Sequence, residues 1–185
     1  RQDFNQQIGA VNIGANTLEI NYTGGNNNWA GDFVGDGTVI VRGDSDFQLL
    51  GEMSNNNTPD DPADGFQGNF LVDGGNLRLD LRFDARQATG WTVQNGGLLE
   101  LDKRGGTREP NMIGDDIAVT LISADGGLSA SPDRAIGFGL RTDQETNTAE
   151  TIGNLVLDGG HSYVTIDARS ASDDPFIQTD TAVRN

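Results

Sequence analysis

The sequence predicts an all-β chain wound as a right-handed parallel β-helix, or solenoid, with coils of irregular length. Three observations carry that prediction. Apolar and polar residues alternate in short bursts, as where Leu77, Leu79, Leu81 and Phe83 interleave with Arg78, Asp80, Arg82 and Asp84 and so share one face of a strand. The bursts are punctuated by Asp-Gly and Gly-Gly pairs, whose residues tolerate positive φ. The combination of burst and turn then recurs along the chain. A β-sandwich or jelly roll uses the same alternation and turns, and is the alternative architecture.

Composition supports the all-β reading. Gly makes up 26 of 185 residues, about 14% against a usual share of about 7%. Asp numbers 22 against six Glu, and Lys103 is a single lysine beside eleven Arg. Gly, Asp and Asn punctuate turns, whereas Glu, Lys and Ala fill helices, so the counts argue against a helical bundle.

Taken in order, the shorter strand bursts are Leu18 and Ile20, Val39 and Val41, Leu99 and Leu101, Val119 and Leu121, Leu155 and Leu157, and Val164 and Ile166. Between them sit Gly24-Gly25, Asp36-Gly37, Asp73-Gly74-Gly75, Asn95-Gly96-Gly97, Asp125-Gly126-Gly127 and Asp158-Gly159-Gly160. Residues 55–65 (NNNTPDDPADG) hold two prolines among Asn and Asp and read as an exposed acidic loop. Leu140 to Ile152 lacks Gly and Pro, and also lacks a helical apolar stripe, so a loop or a short polar helix are both open there.

The repeat is clearest in Gly68 to Leu79, a Gly, a strand, a double-Gly turn and an alternating strand. Gly90 to Leu101 matches it, Gly31 to Val41 matches it with one residue fewer, and Gly153 to Gly160 is a looser copy with Tyr163 and Thr165 one step out of phase. On this alignment Gly37, Gly75, Gly97, Gly127 and Gly160 close successive turns. Their uneven spacing suits a solenoid in which loops of any length leave a corner.

At these residues the sequence resembles the autotransporter-associated β-strand repeat of bacterial surface proteins. Asn16 to Gly25 is similar to the central part of that family's unit, and Gly35 to Leu49, followed by Gly65 to Gly68 and Val72 to Leu79, is similar to a nearly complete one. The resemblance covers about residues 13 to 101. It implies an extracellular or cell-surface bacterial protein, with residues 1–185 as one β-rich domain or a segment of a longer repeat protein.

Charge narrows the partners. A net charge of −16 repels phosphate backbones and anionic lipid, so neither nucleic acid nor membrane insertion is expected of this chain. No run of 18 apolar residues would span a bilayer as a helix. Zero Cys removes disulfides, Cys-ligated zinc and thiol catalysis.

Each candidate site competes with a plainer reading. His161 follows Gly159-Gly160 and would need a serine such as Ser45 or Ser123 beside it for nucleophilic catalysis; a turn histidine is the better reading. With 28 acidic residues, a carboxylate pair of the kind that cleaves glycans arises by chance, and no catalytic residue is singled out. Asp60, Asp61 and Asp64 are the densest acidic set and the candidates for a structural calcium, against a solvated acidic loop. Arg42-Gly43-Asp44-Ser45 contains a receptor-recognised tripeptide but coincides with an expected turn. Trp29 and Trp91 are the candidates for stacking on glycan rings, against a role closing the interior ladders.

The expectation is therefore a structural or adhesive element, not an enzyme. Self is the expected partner, through end-to-end or lateral assembly into a filament or layer, because stacked coils leave open strand edges at their ends. A glycan-binding or glycan-degrading module is the alternative.

Overall fold

In the computed structural model the described residues are 10–24, 27–29, 31–44, 46–49, 65–80, 83, 85–103, 112–123, 136–143, 150–169 and 178–183. They contain fifteen strands and no helix. In chain order these are β1 (Val11–Asn12), β2 (Thr17–Tyr22), β3 (Asn27–Trp29), β4 (Phe33–Val34) and β5 (Thr38–Gly43). Next come β6 (Asp46–Leu49), β7 (Asn69–Asp73), β8 (Asn76–Asp80), β9 (Gly90–Gln94) and β10 (Leu98–Asp102). The last five are β11 (Val119–Ile122), β12 (Ile136–Asp143), β13 (Leu155–Asp158), β14 (Ser162–Arg169) and β15 (Gln178–Val183).

The strands sort by turns into two large sheets. One holds β2, β5, β7, β9, β11 and β13 side by side, and the other holds β3, β6, β8, β10, β12, β14 and β15. A third, short face is marked by the β1–β4 pair and by parallel bridges from Gly35 to Phe66 and from Ala85 to Ile113. Successive coils thus revisit the same faces in parallel register, which is compatible with a β-solenoid. A sandwich or jelly roll would pair its neighbours antiparallel, and among the described residues only β14 with β15 does so.

Register shows why the period-two pattern folds this way. In the six-stranded sheet, Leu18, Val39, Phe70, Trp91, Val119 and Leu155 stand level, as do Ile20, Val41, Val72, Val93, Leu121 and Leu157. In the seven-stranded sheet, Trp29, Leu49, Leu79, Leu101, Leu140 and Ile166 form one row, and Phe47, Leu77, Leu99, Phe138 and Val164 the next. The middle members of these rows are buried while most outward residues between them are more exposed, so each coil closes the apolar face of the last.

Three sequence expectations change. Among the described residues the strand at Leu77 runs to Asp80, and Phe83, expected on it, instead donates its amide to the Asp80 carbonyl at 2.8 Å and is buried; Leu81, Arg82 and Asp84 lie outside the described residues. The turn series is also out of phase at its first member, Gly37, while Gly75, Gly97 and Gly160 lie in equivalent turns and Gly127 lies outside the described residues. Thr38 lies opposite Asn69, so Gly37 is level with Gly68 ahead of the strands, and the counterpart of the Gly74-Gly75 turn is Gly43-Asp44. The expected Leu140 to Ile152 loop or helix is strand as far as Asp143. Residues 55–64, with Asp60, Asp61 and Asp64, lie outside the described residues.

Tyr22 shows how the turns are packed. Its ring lies against Gly43, where a Cβ would overlap it, and its centroid is 5.0 Å from that of Phe47. Burial, then the charges of Asp46 and Asp44, push its hydroxyl from the ordinary 10.0 up to about 12. The unfolded chain therefore loses this proton before the folded one does. Tyr22 contributes stability that is complete below about pH 10 and is lost as pH rises towards 12. Urea midpoints measured across that range are expected to fall more steeply for the wild type than for Tyr22→Phe, which keeps the ring without the proton.

Candidate functional site

The outer face of the seven-stranded sheet gathers the charged groups. Outward positions on parallel strands repeat about every 4.8 Å, so like charges in register would repel. In one row the sequence separates them, whereas in the next Asp80 and Asp102 stand side by side with Arg141 beyond. One row reads Gln48, Arg78, Glu100, Gly139, Thr165, and another reads Asp80, Asp102, Arg141. Arg78 Nε lies 3.0 Å from Glu100 Oε2 and 3.9 Å from an Asp102 oxygen, and the Arg78 guanidinium reaches Asp46 at 3.7 Å. Arg141 pairs with the other oxygen of Glu100. Asn76 donates to Asp46 at 3.1 Å, and Gln48 donates to Asp80 at 3.2 Å.

Glu100 and Asp102 are each only 7% exposed, although they point away from the interior. Glycoside cleavage needs one carboxyl free to donate a proton and another free to attack or to activate water. Here Glu100 is held between two guanidinium groups. The network fastens β6, β8, β10 and β12 to one another and reads as a cross-strand tie.

A second charged knot sits where the chain leaves the seven-stranded sheet. Lys103, directly after β10, is 1% exposed and pairs with Glu150. Glu150 also accepts the Met112 amide at 3.0 Å and the Ile113 amide at 2.8 Å. Three chain positions, separated by residues 104–111 and 114–149, are thereby joined at one corner. Sequence reasoning noted the single lysine but had no signal for its partner, which is 47 positions away.

The tryptophans take part in an aromatic column. Trp91 is 1% exposed, with its ring parallel to Phe70 at a 4.1 Å centroid distance. Phe70 meets Phe66, Phe33 and Phe83 edge-on, and Phe33 stacks on the half-buried Trp29 at 5.6 Å. Trp91 presents no face to a glycan, because Gly90-Trp91 begins a strand whose first apolar residue turns inward.

The remaining motifs are structural in place. His161 is exposed, and it is its backbone amide that donates to Ser123 Oγ, at 3.2 Å. Arg42 pairs with Asp73 at 3.0 Å and with Glu19 at 3.7 Å, while Asp44 accepts the Gly24 amide at 3.2 Å. The Arg42-Gly43-Asp44 tripeptide is thus tied to its neighbours on both sides. Ser45 lies outside the described residues. Among the described residues, no three His, Cys, Asp or Glu side chains gather as a metal site. No family model matches the chain, and neither a curated protein nor a solved structure matches it.

Proposed function

We propose that the chain is a structural or adhesive element of an extracellular bacterial surface protein, a right-handed β-solenoid that associates with copies of itself into filaments or layers. The observation that carries this reading is the unbroken parallel register from β2 to β13, with both interior ladders running the length of the sheet. Charged side chains on the outer face of the seven-stranded sheet are spent on tying strands together, as a load-carrying stack requires. The resemblance of residues 13 to 101 to a bacterial surface repeat supports the location.

A charge of −16 opposes the approach of two copies at low ionic strength. Assembly is therefore expected to grow with salt, and with calcium if the acidic Asp60, Asp61 and Asp64 bind it. Light scattering of the purified protein across salt and calcium concentrations tests the reading. A monomer under every condition would remove it.

A further inference from the structure

The two large sheets do not end at the same level. Six coils supply each of them with one strand, from β2 and β3 to β13 and β14, but β15 extends the seven-stranded sheet by one strand more. That strand runs antiparallel to β14, against the direction of every other pairing. It places Thr179 opposite Ile166 and Thr181 opposite Val164, at the level where each earlier coil carries the apolar ladder. Ile166 stays 52% exposed.

The six-stranded sheet has no strand beyond β13 among the described residues. Leu155 and Leu157 are only partly buried there, whereas the same ladders are 0% to 2% exposed from Val39 to Leu121. At the opposite end of the stack, Leu18 and Ile20 on β2 and Trp29 on β3 are likewise partly buried.

We infer that the β13–β14 end is an interaction surface for the β2–β3 end of a second copy, and that β15 occupies the place which the incoming β3 would take. The inference rests on the self-association proposed above and names its surface. A second copy is the occupant because the two ends are the two sides of the interface that joins each pair of successive coils inside the molecule. With its β2 parallel to β13, Leu18 of the second copy continues the ladder at Leu155, and Ile20 continues it at Leu157. On the other sheet its Trp29 falls on Ile166, the position that β15 holds with a threonine. Full docking of a coil therefore requires β15 to leave, and while in place it ends the stack, as natural sheets guard an open edge.

The chain has no cysteine, so Thr165→Cys with Asp180→Cys, at directly opposed positions, creates a single disulfide that locks β15 onto β14. The converse variant, Asp180→Pro with Thr181→Pro, releases β15. Successive strand residues point their amides to opposite sides, so one of the two prolines must fall in the ladder. At about 0.5 M salt, where surface charge is well screened, the released protein is expected to sediment as concentration-dependent elongated species. Its tryptophan emission should shift to the blue through Trp29, since Trp91 is already buried. The oxidised lock is expected to stay smaller than its reduced form, and Ile20→Asp in the released protein is expected to abolish growth.

The inference is overturned if the released protein keeps its β circular dichroism yet does not grow, or if the oxidised lock grows as readily as the reduced form. Wild type that assembles regardless of the lock would sink this inference and leave self-association standing. Failure of wild type and released protein alike would sink both.

Discussion

Replacing Glu150 with alanine is expected to destabilise the protein by about 3–5 kcal/mol, the usual cost of breaking a buried ion pair from one side. The carboxylate serves three groups together. Its removal takes a counter-charge from Lys103, which is 1% exposed, and an acceptor from the Met112 and Ile113 amides. Each amide left without an acceptor adds about 1–3 kcal/mol of desolvation, so the effect belongs at the upper end of that range. Glu150→Gln separates the contributions, because its carbonyl oxygen can still accept from the amides while the charge is gone. It should fall between wild type and alanine. Urea denaturation measures both, with an unchanged m-value expected for a variant that alters stability without changing the exposed surface. The loss should vary little with salt, since a pair this buried is weakly screened. A cost below about 1 kcal/mol for Glu150→Ala would mean that the knot is not what holds this corner.

The contrast between that knot and the ladders shows which parts of the molecule can be read from sequence. Leu77 and Leu79, or Val39 and Val41, announce their faces because a strand's geometry repeats every two residues, and burial of one face is a local property. The Lys103–Glu150 pair has no such local mark, since it depends on which corner each excursion returns to. Trp91 was ambiguous for a different reason. A glycine followed by an aromatic at a strand start looks the same whether the ring turns outward or inward, and only the register that sets it on Phe70 decides. The staggering of Arg78, Glu100 and Arg141 needs that register as well, because each strand alone looks merely polar outside.

The misphased repeat, in which Asp36-Gly37 resembles the turn at Asp73-Gly74, leads to the sharpest expectation for a single methyl group. Glycine serves two different needs in this chain. Gly74 has φ +80 and Gly24 has φ +64, so these positions need a residue tolerant of the left-handed region. Gly37 and Gly68 do not have positive φ; they are glycines because the preceding coil lies against them. A Cβ on Gly68 would overlap the Gly37 carbonyl oxygen and come within 2.6 Å of Phe66 Cζ. A Cβ on Gly37 would overlap the Asn16 carbonyl oxygen and come within 2.9 Å of the Gly14 oxygen. These obstacles cannot step aside, because the same carbonyls accept the Asn69 and Thr38 amides at 3.0 Å and so hold adjacent coils together. Relief would require parting the coils. Gly68→Ala is therefore expected to cost more than about 4 kcal/mol, a size seen only with a named lesion of this kind, and Gly37→Ala a similar amount. Gly24→Ala meets nothing within 4 Å and bears only the left-handed backbone penalty of about 1–2 kcal/mol. Thermal and urea melts of the three variants should rank them in that order. If Gly24→Ala proved the most damaging, the coil-to-coil contact at Gly37 and Gly68 would not be the reason for those glycines.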